Sequence, residues 1–305
     1  MQFKNRGVLL ILTGWIMTMG RADLWAQTGF SGDRAMDYLV AQCDFGPRVP
    51  NSDAARQAIQ YFQQVLQASC DTVILQPFDV PDPYSDETLH LTNVIGRFAP
   101  EKTPRVILGA HWDSRPRADF DPFDPDSPIL GANDGASGVA ILLEMARHLK
   151  QTPANIGVDL ILFDGEDWGK EGDLDAYLMG SRHYAKNPLP PRANWVIILD
   201  MVGDAELALP VEPYSHRHAP NLVRQVWDIG RELGYFQFKP YLGTPVYDDH
   251  IPFIELYYEA IDIIDFEYPN ADENFWHTHE DTPDKCSAES LEAVGNTVLT
   301  WVYRQ

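Results

Sequence analysis

Several carboxylates and imidazoles in this chain share a peculiarity of position, because each follows closely on an apolar, β-branched run. His111 and Asp113 come after Val106 to Ala110, Asp164, Glu166 and Asp167 after Ile161 to Phe163, and Asp200 after Val196 to Leu199. The run Ala260 to Phe266 leads on to Trp276, His277, Thr278 and His279, while Asp134 lies in the turn Gly131-Ala132-Asn133-Asp134-Gly135 just ahead of a helical stretch. Carboxylates brought to one sheet edge repel one another and are costly to bury unless a cation neutralises them. Oxygen and imidazole donors without thiolate suit zinc in a catalytic site that keeps a position open for substrate. Any one of these acids taken alone reads as a cap or a solvated loop residue, and it is their coincidence at successive strand ends that points to a metal centre. Glu166 and Asp167 are adjacent, so their side chains diverge at a strand exit. One ligates, and the other is free to move a proton beside the ion.

The elements that must position these groups are legible from periodicity. Strands are expected at Thr72 to Val80, Leu89 to Phe98, Val106 to His111, Val158 to Phe163, Trp195 to Met201 and Ala260 to Phe266. Helices are expected at Ala54 to Gln67, Gly138 to Leu149, Pro220 to Leu233 and Ser287 to Tyr303, with Val139, Leu142, Leu143, Ala146 and Leu149 along one face of the second. Two strands precede Val106 with no helix between them. The expected fold is therefore a single α/β domain whose mixed, mostly parallel central sheet has an antiparallel edge and helices on both faces. In such a sheet ligands bind beyond the carboxyl ends of the strands, where the candidate residues lie. No repeat and no compositional break marks a second domain. The Asp- and Pro-rich segment Arg115 to Pro128 lacks the glycine and terminal Glu of a calcium loop and reads as solvated. His216 and His218 read as polar residues of a loop, Gly203 to Pro220.

The segments His111-Trp112-Asp113-Ser114, Gly131 to Gly138, Phe163-Asp164-Gly165-Glu166-Asp167, Gly180-Ser181-Arg182-His183, Leu199-Asp200 and Trp276-His277-Thr278 resemble the zinc aminopeptidase superfold, over about residues 38 to 304. Pro245-Val246-Tyr247-Asp248-Asp249-His250-Ile251-Pro252-Phe253, with Trp276 directly before His277, resembles its glutaminyl cyclase branch specifically. Aminopeptidases of the superfold typically have Ser in place of Asp248 and Tyr in place of Trp276. The resemblance implies one zinc per chain held by Asp134, Asp167 and His277, Glu166 as proton shuttle, and Asp200 with Asp248 as a supporting acid pair. His111 matches a second-metal ligand of the aminopeptidases, with Asp113 orienting it. Animal cyclases usually have Glu in place of Asp167, so this chain departs there by one methylene.

The implied reaction is cyclisation of an N-terminal glutamine, in which the α-amine attacks the γ-amide carbonyl and ammonia leaves. The substrates are then peptides or proteins that begin with Gln. Trp276 offers an apolar wall for the folded side chain, and Trp168 is a second candidate wall. Hydrolysis by a two-zinc aminopeptidase is the alternative. His111 and Asp200 complete a second ligand set, so only Asp248 and Trp276 separate the two enzymes. A catalytically inactive binding relative is a third reading, opposed by a residue for every chemical role.

Composition narrows the setting. The chain has 305 residues, 45% hydrophobic and 22% charged, with 23 Lys plus Arg against 45 Asp plus Glu and a formal charge of −22. That charge repels polyphosphate, so nucleic acid is excluded as a partner. The one long uncharged apolar run, Gly7 to Gly20, spans 14 residues, short of the roughly 20 a membrane helix needs. No stable membrane partner is expected. Lys4 and Arg6 precede that run and Ala22 and Ala26 follow it, the pattern of an export signal over residues 1–26, with 27–305 as the mature catalytic domain. The product is expected in the periplasm or outside the cell, with an uncleaved anchor as the alternative. Cys43, Cys70 and Cys286 are too few for a disulfide scaffold. Cys43 and Cys70 flank one expected helix and are candidates to pair, while Cys286 reads as a buried apolar thiol.

Overall fold

The computed structural model describes residues 29–305, so the expected signal over 1–26 lies outside the described residues. The chain opens with α1 (Gly32–Cys43) and α2 (Asp53–Gln67), each capped by a serine hydroxyl, Ser31 and Ser52 respectively, that accepts a first-turn N–H. Next come β1 (Thr72–Pro81), β2 (Thr88–Phe98), β3 (Arg105–His111), α3 (Ala136–Gln151), β4 (Gly157–Phe163), α4 (Met179–Lys186) and β5 (Trp195–Asp200). The remainder is β6 (Leu209–Val211), α5 (Pro213–His218), α6 (Pro220–Glu232), β7 (Phe238–Leu242), α7 (Ile251–Glu255), β8 (Glu259–Ile264) and α8 (Ala288–Tyr303). The six long strands form one sheet in the order β1-β2-β4-β3-β5-β8. β1, β2 and β4 pair antiparallel in turn, whereas β4, β3, β5 and β8 run parallel.

Alternation along the strands feeds two cores. Val106, Leu108, Val158, Leu160 and Leu162 face the layer built by α1, α2, α3, α6 and α8. Ile107, Ile161, Phe163, Val196 and Ile198 face Tyr184 of α4 and Phe253 of α7 on the other side. Buried on both faces, the parallel strands read as continuous apolar runs. The chain leaves β3 toward β4 on one side and later returns to β5 on the other, so β3 is the switch point where its carboxyl end opens a crevice. His111 closes β3, Asp200 closes β5, and Asp164 begins the exit from β4.

Three features depart from the sequence reading. α1 and α4 are helices that short or mixed periodicity did not disclose. The segment expected to be a loop at Gly203 to Pro220 contains β6 and α5, with Glu212 capping α5 through the backbone N–H groups of Tyr214 and Ser215. His216 and His218 are exposed on that helix. Finally, all three cysteines are free thiols. Cys70 packs beside Gly96 of β2, while Cys43 at the end of α1 lies near Arg48 and Asp281, so the two expected partners sit in different surroundings. Cys286 is buried, as expected.

Candidate active site

Two acids, Asp113 just beyond β3 and Asp281 in the loop before α8, fix the backbone that carries the chemistry. Asp113 accepts the backbone N–H groups of Glu166 and Asp167, at 3.1 and 3.2 Å, and so holds the turn that leaves β4. Its expected service to His111 is looser, with Nδ1 3.5 Å from Asp113 Oδ1. Asp281 does the same for the other turn, accepting from the N–H groups of Asn133 at 2.7 Å and Asp134 at 3.2 Å, and it receives the Tyr268 hydroxyl at 3.0 Å. Burial and the Asp134 charge push the Asp281 carboxyl up to about 7. Sequence reasoning missed Asp281, since nothing in its spacing distinguishes it from a loop acid. Gly135 follows Asp134 because a Cβ there would lie 2.3 Å from His111 Nε2. His277 is held at φ 56°, a left-handed conformation that non-glycine residues keep only where surrounding contacts impose it.

The structure brings Asp134, Asp167 and His277 together at the floor of a cleft, each buried, with one donor atom of each within 4.8 Å of the others. His277 Nε2 stands 3.6 Å from Asp134 Oδ2 and 3.5 Å from Asp167 Oδ1. These gaps are too long for hydrogen bonds and close to the edge of a tetrahedron with zinc-length bonds, about 3.3 Å. Asp167 Oδ2 is buried with no hydrogen-bond partner. Burial, reinforced by the Arg115 charge, holds the His277 imidazole well below its ordinary range, in the neutral form that ligates. The donor set therefore fits a zinc ion.

A second cluster shares Asp134. His111 Nε2 lies 3.0 Å from Asp134 Oδ1 and 3.2 Å from Asp200 Oδ1, which are hydrogen-bonding distances. Burial would lower His111, but Asp113, Asp134 and Asp200 outweigh it and hold the ring well above its usual value. Arg115, itself 1% exposed, pairs with Asp167 and reaches the Tyr177 hydroxyl at 3.2 Å. It belongs to the segment expected to be merely solvated, so that reading holds for the acidic tip and fails for its base.

Glu166 is half-buried and turns into the cleft. Burial pushes its carboxyl well above the usual range; the His111 charge opposes this, and Asp167, Asp248 and Asp249 add to it. Asp248, raised to about 7 by burial and by Asp200, lies over a closed layer of charge. His250 sits between Glu212, 3.2 Å from Nε2, and Asp262, 3.9 Å from Nδ1. Neither oxygen of Asp262 has a hydrogen-bond partner, and the carboxyl lies in one cluster with Asp248 and His250, donor atoms of the three within 4.8 Å of one another. Asp248 thus feels the charge of Asp200 and lies beside Asp262, but the hydrogen bond expected between Asp200 and Asp248 is not formed. Glu212 and Asp262 were absent from the sequence reading, and His250 entered it only as part of the segment Pro245 to Phe253, because a polar residue at a helix start or in a strand interior gives no positional signal.

Asp134, Glu166, Asp167, Asp200, Asp248 and His277 line a cleft of about 240 Å³ that also presents Trp276, Phe266, Tyr247, Val246 and Leu174. Trp276 stacks on His277 with ring centroids 3.8 Å apart, and Phe266 and Phe120 flank it at 4.9 and 5.2 Å. Trp168 is not a wall of this cleft. It packs with Leu89, Leu91 and Met179 and donates its indole N–H to Asp82 at 2.8 Å, so Phe266 and Tyr247 stand where a second aromatic was expected.

A mostly parallel sheet whose switch point carries a buried Asp-Asp-His set able to hold a metal ion, beside a carboxylate outside that set, has the form of a metallopeptidase-type centre. The chain belongs to Peptidase family M28, whose model matches residues 93–302. Within that family it stands with the glutaminyl cyclases. A crystal structure of Tannerella forsythia glutaminyl cyclase is 38% identical, with a TM-score of 0.86 over 90% of this chain and 99% of that one. A Zn-dependent exopeptidase from Parabacteroides distasonis is similar at 37% identity, with a TM-score of 0.86 and the same coverage. The glutaminyl-peptide cyclotransferase of Bos taurus is 26% identical over 294 residues, 84% of this chain and 76% of its own length.

Proposed function

We propose that this chain cyclises the N-terminal glutamine of peptides and proteins to pyroglutamate, releasing ammonia. The observation that carries the reading is that Asp248 and Trp276, the two residues that set the cyclase branch apart, line the same cleft as Asp134, Asp167, His277 and Glu166. Asp134, Asp167 and His277 would hold a zinc ion, which when bound would supply Lewis acidity toward the side-chain carbonyl of the substrate. The protein's own groups do the rest. Trp276 and Phe266 exclude water and fold the glutamine side chain back toward its own amine, which converts attack into a positioned intramolecular step. The α-nitrogen bonds to the carbonyl carbon of the side-chain amide, Cδ, closing the five-membered lactam, and the bond from that carbon to the amide nitrogen breaks. Glu166 takes a proton from the α-nitrogen and returns it to the departing nitrogen. Asp248 and Asp200 face the amine side of the cleft.

We assign one zinc per chain. The His277 triad is spaced as ligands are, whereas His111 closes on Asp134 and Asp200 at hydrogen-bonding distances. That second cluster nonetheless favours a two-zinc aminopeptidase as the competing reading, since Asp134 belongs to both sets. The test is a panel of Gln-, Leu- and Ala-initiated peptides with zinc content measured on the same sample. Ammonia from Gln peptides, no free Leu or Ala, and about one zinc per chain are expected. Free amino acids without ammonia, with two ions required for activity, would establish the peptidase.

Residues 1–26 are proposed as an export signal and 27–305 as the mature enzyme, acting in the periplasm or outside the cell. The support is the order of basic start, apolar run and small residues. Among the described residues no helix is long and apolar enough to cross a membrane.

A further inference from the structure

Only the first residue of a substrate reacts, in a cleft of about 240 Å³ that is open on one side, so the rest of the peptide must run out of that cleft. On another side the cleft is bounded by Pro245, Val246 and Tyr247. Immediately before them in the chain, Tyr241, Leu242, Gly243 and Thr244 line a second hollow of about 270 Å³. Phe266 borders both, so the two are neighbours across one aromatic ring and one strap of chain. Tyr241 and Leu242, at the end of β7, are 57% and 56% exposed. Two adjacent large apolar side chains left that open, beside a hollow, are the kind of surface that takes up an apolar partner.

Resting on the cyclase reading, we infer that this second hollow receives the substrate itself, binding an aromatic or large aliphatic side chain two or three residues after the reacting glutamine. An extended chain advances about 3.3–3.6 Å per residue, so a residue at that remove clears the cleft and passes Phe266. Continuity with the catalytic cleft selects the occupant: a peptide already held by its first residue is presented to the hollow at high effective concentration. Glu267 and the buried Asp265 and Glu212 all line the hollow and disfavour an acidic side chain there. The enzyme then prefers peptides of four residues or more to Gln dipeptides, and apolar over acidic residues at the third or fourth position.

The experiment compares Gln-Ala amide with Gln-Ala-Phe-Ala, Gln-Ala-Ala-Phe, Gln-Ala-Asp-Ala and Gln-Ala-Ala-Asp amides on the full chain and on the double variant Tyr241→Ser, Leu242→Ser. The wild-type chain should show a roughly tenfold lower KM for one of the Phe peptides than for Gln-Ala amide, with kcat within about twofold. The double variant should lose that gain and keep its kinetics on Gln-Ala amide. Equal KM for every peptide, or a gain that survives both substitutions, overturns the inference while leaving the cyclase intact. Failure of every peptide, Gln-Ala amide included, to release ammonia overturns the cyclase reading and this inference with it.

Discussion

Replacing Glu166 with glutamine and, separately, Asp167 with alanine should break the centre in opposite ways, although the two residues are neighbours. Their N–H groups share one acceptor, Asp113, which keeps the turn fixed whichever side chain is altered. Glu166→Gln leaves Asp134, Asp167 and His277 untouched, so zinc should stay. Turnover should fall by about 100-fold or more, the contribution of a positioned proton carrier, equivalent to about 2.7 kcal/mol of barrier. Asp167→Ala removes one of three protein donors and should lose zinc to brief chelation. It also deprives buried Arg115 of a partner. A broken buried pair costs about 3–5 kcal/mol where nothing replaces it. Arg115 keeps Asp119 and the Tyr177 hydroxyl, so a loss of about 2–3 kcal/mol in folding stability is expected. Zinc content, turnover and urea midpoints on both variants read all three quantities. A zinc-free Glu166→Gln beside a zinc-replete Asp167→Ala would mean that the two roles are assigned the wrong way round.

Gly135→Ala should displace His111 from Asp134 and Asp200, because the added Cβ would lie 2.3 Å from Nε2. A stability loss of about 1–3 kcal/mol with a turnover drop of at least about tenfold is expected, and unchanged midpoint and rate would refute it. Asp262→Asn keeps a polar side chain of the same size beside Asp248 and should hold kcat within about threefold, whereas Asp262→Leu should lose about tenfold or more at unchanged zinc content; equal effects would show that Asp262 does not support Asp248. Asp265, raised to about 7 by burial, keeps in the folded state a proton that the unfolded chain releases near its ordinary value of about 3.9. Its stabilising contribution is whole below that value and is lost as pH rises through about 7. Asp265→Asn should therefore remove about one proton from the pH slope of urea midpoints between about pH 4 and 7, and an unaltered slope would be the contrary result.

What the sequence disclosed and what it withheld divide along physical lines. The parallel strands were legible because burial on both faces makes each an unbroken apolar run, and their carboxyl ends therefore located His111, Glu166, Asp167 and Asp200. Asp134 and His277 were legible from their turn and their neighbours. The residues that hold those groups in place were not. Asp281, Arg115 and Asp262 act through tertiary approach, from a loop, an acidic segment and a strand interior respectively, and a single sequence carries no mark of which distant partner each meets. Trp168 shows the converse. Its nearness in sequence to Asp167 suggested the cleft, yet the turn beyond β4 sends its ring to Asp82 and the cluster around Leu89 and Leu91.

The central claim concerns which bond is broken, and the mass of the product reads that directly. A Gln-Leu-initiated peptide, incubated with the full chain in water enriched in heavy oxygen, should lose the mass of one ammonia, gain no heavy oxygen and yield no free glutamine. A product shortened by its first residue, with heavy oxygen in the released carboxylate, would contradict the account.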